Sequence, residues 1–105
     1  MNCENNIKIA NYIGMEKTDL GWFDSDEVLK IPNESNNTFD ILRFDSDWNW
    51  LLSVVYFISY SFDETNTEYN DLTLVMKVST LSNDILRAYN ELFIFIVRNP
   101  LPIEK

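Results

Sequence analysis

ILRFDSDWNWLLSVVYFISYSF, residues 41–62, is the stretch whose reading decides the fold. It opens as a short apolar–polar alternation, Ile41-Leu42-Arg43-Phe44, which reads as a strand. It breaks at Asp45-Ser46 and resumes with helical spacing: Trp48, Leu51, Leu52, Val55, Ser59 and Phe62 fall on one face. Asp45 or Ser46 is placed to cap that helix by accepting from its free amides, and Asp47 in the first turn suits the positive end of the helix dipole. The spacing predicts that Trp48 is buried against a sheet, while Trp50, about 200° round the helix, lies nearer the surface.

Working outward, residues 5–13 place Ile7, Ala10 and Ile13 at helical spacing, and Gly14 follows where a left-handed cap would stop the helix. Residues 15–19 read as a polar connector. Residues 20–23 and 27–31 read as strand material on either side of an acidic turn, with Pro32 ending the second strand. Residues 33–38 form a polar turn, and residues 39–44 are expected to pair with 28–31 as a hairpin. Beyond the central helix, residues 63–70 are a second polar loop. Residues 72–78 alternate and are rich in β-branched side chains, as a strand would be. Residues 81–99 close the chain as a helix, capped by Ser82, with Asp84 in its first turn and a stop at Asn99-Pro100. The expected architecture is one α+β domain over residues 1–105, in the order α-β-β-α-β-α. Three helices would pack against a small, mostly antiparallel three-stranded sheet.

The chain has 105 residues, 46% of them apolar and 14% aromatic, enough for one modest core. Its 17 acidic and 8 basic side chains leave a formal charge of −9. That charge opposes direct binding of nucleic acid, whose affinity comes largely from Lys and Arg neutralising phosphates. It favours a partner with a basic surface. The chain has no histidine and a single cysteine, Cys3, so histidine-dependent triads, histidine metal sites and internal disulfides are excluded. The start, Met-Asn-Cys-Glu-Asn-Asn, lacks the basic and apolar regions of a signal peptide. The apolar run of residues 51–62 falls short of the ~20 residues of a membrane span. A cytoplasmic protein is expected.

Asp-x-Asp occurs at Asp24/Asp26 and at Asp45/Asp47. Neither pair has the spacing, glycine and terminal glutamate of a calcium loop, so turn and helix-cap roles are expected, with no metal and no cofactor. A domain this small has little room for the cleft that paired-carboxylate hydrolysis requires, and no catalytic residue is assigned. Stacking of single-stranded bases on Trp22, Trp48 or Trp50 would call for interleaved Lys and Arg, but the charges beside Trp48 and Trp50 are acidic. The central helix carries a second apolar face (Trp50, Val54, Phe57), and the last helix has Ile94 and Phe95 beyond its core stripe. Either other elements cover these side chains, or they serve a protein partner or a dimer.

Residues 44–55, Phe-Asp-Ser-Asp-Trp-Asn-Trp-Leu-Leu-Ser-Val-Val, resemble the hallmark of a family of small proteins encoded by phages, prophages and mobile elements of Bacteroidota. That hallmark is close to S-W-D-W-L-M-P-V-V-E-K-I. The family's opening I-A-x-F/Y-M/I-G helix is matched by residues 9–14, and its closing F-I-x-W-Y-N-like helix loosely by residues 93–99. Ser53 stands at the family's proline, and Tyr56-Phe57-Ile58 replaces Glu-Lys-Ile, which makes this helix more apolar. The resemblance implies a phage-type origin and brings no catalytic residue. By analogy of class it implies an anti-CRISPR protein that inhibits a host ribonucleoprotein, such as a type VI-B RNA-guided ribonuclease, by stoichiometric binding. Asp24, Asp26, Glu27, Asp63, Glu64, Glu68 and Asp71 would then face a basic groove, with Trp50, Phe57 and Phe95 as apolar anchors. The alternative is a scaffolding homodimer joined through the surplus apolar helix face.

Overall fold

The computed structural model describes residues 2–29, 37–62 and 65–100. In chain order they form α1 (Asn2–Tyr12), β1 (Glu16–Thr18), β2 (Gly21–Phe23), β3 (Thr38–Phe39), α2 (Trp48–Ile58), α3 (Thr67–Ser82) and α4 (Ile85–Arg98). The fold is α+β: four helices and a three-stranded antiparallel sheet in the order β1-β2-β3.

The sheet keeps residues 21–23 and Phe39 of the expected strand material and completes itself with other segments. Residues 16–18, expected as connector, pair with β2 in the register Glu16↔Phe23 and Thr18↔Gly21. The tight turn between them is closed by the Thr18 hydroxyl, which donates to the Gly21 carbonyl at 2.8 Å. The third strand is Thr38–Phe39, paired to β2 through Trp22↔Phe39. Gly21 has φ +127, and a Cβ there would lie 2.6 Å from the Phe39 carbonyl oxygen, so the β2–β3 approach requires glycine. The rest of 39–44 leaves the sheet. Ile41 is exposed, Phe44 turns inward, and Asp47 N–H donates to the Arg43 carbonyl as the chain enters α2.

Residues 72–78 are helical, not a strand. Leu72, Leu74, Met76 and Val78 alternate like a buried strand face, yet only Leu72 and Met76 are buried, joined by Ser79 one turn on. The helix is set at its ends. The Asn66 side chain accepts from Tyr69 N–H at 2.9 Å, and Asn83 caps the other end in the left-handed conformation (φ 55). Those caps and the i, i+4, i+7 spacing override the β-branched composition. Asn83 ends α3 inside the span expected for the last helix, so α4 begins at Ile85 and not at residue 81. The cap of α4 is Asp84, accepting from Arg87 N–H, in place of Ser82. Of the expected partner strand 28–31, Val28 and Leu29 are buried in a loop and unpaired to the sheet, and 30–31 lie outside the described residues.

Helix α2 is rotated by about 100°, one residue's worth of turn, from the expected phase. Trp50, Leu51, Val54 and Ile58 are buried, while Trp48 is half-buried. Its cap is Asp47, accepting from Asn49 N–H at 2.9 Å, one residue beyond the Asp45 or Ser46 expected. Two contacts explain the phase. The Trp50 ring takes the edges of Phe39 and Phe44 at centroid separations of 4.9 and 5.1 Å. The Trp48 indole N–H, which must find an acceptor, donates to Asn83 Oδ1 at 3.0 Å at the α3–α4 turn.

One hydrophobic cluster takes Ile9 and Ala10 from α1, Ile13 from the turn after it, Trp22 and Phe39 from the sheet, and the inner faces of the other three helices. Polar side chains lock its edges. The buried Tyr89 hydroxyl donates to Asn6 Oδ1 at 2.8 Å, and Asn6 Nδ2 reaches Leu42 O and Asp45 Oδ1, both at 3.3 Å. Further along, the Tyr12 hydroxyl donates to the Asn99 carbonyl at 2.9 Å. The two pairings run in step, so α1 lies parallel to α4.

Trp50→Ala is expected to cost about 3–5 kcal/mol through lost transfer energy and the cavity left behind. Trp48→Phe should cost only about 0.5–1.5 kcal/mol, the net worth of one hydrogen bond. Chemical denaturation followed by circular dichroism measures both, and a reversed order would contradict the helix phase.

Burial pushes the phenols of Tyr12 and Tyr89 up from the usual 10.0 to about 12, with Asp45 adding to the shift at Tyr89. The folded chain therefore keeps protons that the unfolded chain releases. Stability from these groups is full below pH 10 and is lost as the pH rises through about 12. Tyr89→Phe should cost about 1–3 kcal/mol near neutrality by orphaning Asn6 Oδ1. It should also flatten the alkaline loss, which denaturant midpoints across that pH range would read.

Candidate functional site

Three of the expected partner residues are not available to a partner. Trp50, Phe95 and Asp24 are 2%, 4% and 1% exposed. Trp50 fills the α2–sheet junction. Phe95 packs edge-on to Phe62 and Tyr69, at 5.2 and 6.3 Å between centroids. Asp24 works inside a loop: its two carboxylate oxygens accept from Val28 N–H at 3.0 Å and Leu29 N–H at 2.9 Å. Those side-chain bonds occupy the amides that a strand ladder would have used, which is why residues 28 and 29 do not pair. Asp63 and Glu64 lie outside the described residues.

Glu68 is engaged within the fold as well. It accepts from Asn99 Nδ2 at 2.7 Å and faces the Arg98 guanidinium at 3.6 Å. With Asp71, Glu91 and Arg98 it lines a cleft of about 60 Å³ between α3 and α4, room for water and little else.

Asp26, Glu27 and Phe57, distant in sequence, come together. With Val28, Tyr56 and Tyr60 they line an open groove of about 330 Å³. One wall is the 24–29 loop, shaped by the buried Asp24 carboxylate and by Glu27 in the left-handed conformation at φ 53. The other wall is the last turn of α2 and the turn that follows it. There Tyr56 and Tyr60 sit one helical turn apart, ring centroids 5.3 Å apart and 72° between planes. Tyr60 donates its hydroxyl hydrogen to Tyr56 at 3.0 Å, and that bond, then slight desolvation and the neighbouring Tyr56 phenol, holds its own phenol above the usual range. The groove thus pairs carboxylates with aromatic faces.

Tyr56 and Tyr60 are the residues that sequence reasoning missed. Their signal was present: two tyrosines at i, i+4 on the side of α2 away from Trp50 and Val54. With the helix phase misplaced, that side was not recognised as surface. Other exposed apolar side chains form a stripe on the outer face of α3, Leu74, Val78 and Leu81, and α4 exposes Leu86, Ile94 and Val97. Among the described residues no group of three metal-ligating side chains converges, and no helix is long and apolar enough to cross a membrane. Compared with protein-family models, curated proteins and solved structures, the chain matches none.

The groove wall depends on Asp24 accepting two amides. Asp24→Asn replaces one acceptor oxygen by a donor that faces a backbone N–H, so it should destabilise nearly as much as Asp24→Ala, by about 1.5–3 kcal/mol. Denaturation midpoints and amide shifts at Val28 and Leu29 test this; a neutral Asp24→Asn would contradict it.

Proposed function

We propose that this protein is a non-catalytic inhibitor that binds the basic surface of a host nucleic-acid-handling complex in a fixed ratio. Its most concrete form is a phage-type anti-CRISPR protein acting in the bacterial cytoplasm on a type VI-B RNA-guided ribonuclease. The observation that carries the reading is the groove, where Asp26, Glu27 and Phe57 converge with two exposed tyrosines on a chain of formal charge −9. Like charge keeps nucleic acid itself away, while a basic protein surface that normally holds RNA is attracted over several ångströms and then anchored by the aromatic rings. The resemblance of residues 44–55 to phage-encoded proteins supplies the choice of target.

The homodimer reading changes its surface. Trp50 and Phe95 are interior, so a second copy would have to seat on the outer face of α3, at Leu74, Val78 and Leu81.

A pull-down with the tagged protein from a Bacteroidota lysate carrying a type VI-B system is expected to capture the RNA-guided nuclease, with the captured nuclease losing target-RNA cleavage. Full cleavage with excess protein present would overturn the proposal. A concentration-independent dimer in light scattering, disrupted by Val78→Asp, would favour the scaffold instead.

A further inference from the structure

We infer that the groove between the 24–29 loop and the end of α2 seats an arginine side chain of the partner; this rests on reading that face as the partner-binding one. The lining decides the class of occupant. Asp26 and Glu27 stand on one wall and Tyr56, Phe57 and Tyr60 on the other, around about 330 Å³, near the lower end of the ~300–1,000 Å³ usual for ligand sites. A purely apolar occupant would lay an uncharged surface against a carboxylate-bearing wall, which costs solvation of charge. An anion is repelled by them and by the net charge of −9. A cation with flat apolar faces satisfies both walls.

Guanidinium fits this better than ammonium. It is planar and weakly hydrated, so it can lie against a tyrosine ring while its edge N–H groups donate to a carboxylate in a fork. A lysine ammonium is a compact charge that keeps its water and gains less from a ring. The aromatic wall is set before anything binds, because the Tyr60-to-Tyr56 hydroxyl bond at 3.0 Å fixes the two rings relative to each other. The carboxylate wall is set by Asp24, whose hold on the amides of Val28 and Leu29 gives the loop its shape.

The test titrates N-acetyl-arginine amide into the full-length, ¹⁵N-labelled protein and follows amide and tyrosine-ring shifts. Saturable shifts confined to residues 26–28 and 56–60 are expected. The citrulline analogue, which keeps the shape and loses the charge, should produce none, and the lysine analogue should bind several-fold more weakly. Tyr56 and Tyr60 are 55% and 72% exposed, so Tyr56→Ala and Tyr60→Ala should keep the fold. Each should weaken arginine binding by roughly two- to thirty-fold. Equal binding of lysine, any saturable binding of citrulline, shifts spread equally to Asp71 and Asp84, or no shift up to the solubility limit would each overturn the inference. The pull-down separates the two proposals. A captured nuclease insensitive to Tyr56→Ala and to Asp26→Asn with Glu27→Gln removes the arginine seat and leaves the inhibitor. A bound arginine probe with no captured nuclease does the reverse.

Discussion

The burial of Trp50 between Phe39 and Phe44 is the contact on which the rest of the structure depends. The strands have three, three and two residues, and a sheet of that size has too little area to stand alone in water. It exists because β3 lies under the indole of α2. The edge-on rings at 4.9 and 5.1 Å join the helix to the last strand and to the turn before the helix, so three segments are placed by one side chain. Gly21 completes the arrangement by letting β2 approach the Phe39 carbonyl more closely than any Cβ permits. Loss of the tryptophan would therefore release the sheet and the helix phase together.

Around that core, side chains replace backbone ladders. Asp24 satisfies two loop amides, Asp47, Asn66 and Asp84 cap three helices, and Asn6 binds Tyr89 at one end and the 42–45 turn at the other. Asn and Asp suit this work because their short side chains reach neighbouring amides. The consequence for function is that the acidity divides. Asp24, Asp47, Asp84 and Glu68 serve the fold, and part of the charge of −9 is committed before any partner arrives. Asp26 and Glu27 belong to a loop whose conformation Asp24 already maintains.

How much of this the sequence discloses follows from where its periodicities are unique. The first helix was legible because one apolar stripe ended at a glycine, and Gly14 has φ +88. The α+β class was legible because apolar runs of two kinds alternate with polar turns. The phase of α2 was not, since Trp48, Trp50, Leu51, Leu52, Val54, Val55 and Phe57 spread apolar side chains round most of it and leave a narrow, half-aromatic polar side; Phe39 and Asn83, outside the helix, fix the phase. Nor was α3, because Leu74 and Val78 complete a false alternation although both are half exposed. Of the site, Asp26, Glu27 and Phe57 were legible as surface acid and surplus apolar. That they meet was not, because no local pattern records which loop crosses which helix end.

That juxtaposition also explains why burial of an expected anchor leaves an aromatic, acidic groove on the surface. An interface needs an aromatic body and a charge of the right sign within one side chain's reach. When α2 turns Trp50 inward, the same rotation of about 100° carries Tyr56 outward, since the two are six residues and so about 120° apart round the helix. The inward tryptophan holds β3 and the helix start, the outward tyrosine meets Tyr60, and the loop bearing Asp26 and Glu27 closes the other wall. The side chains that hold the sheet and the tyrosine that lines the groove thus leave different sides of one eleven-residue helix.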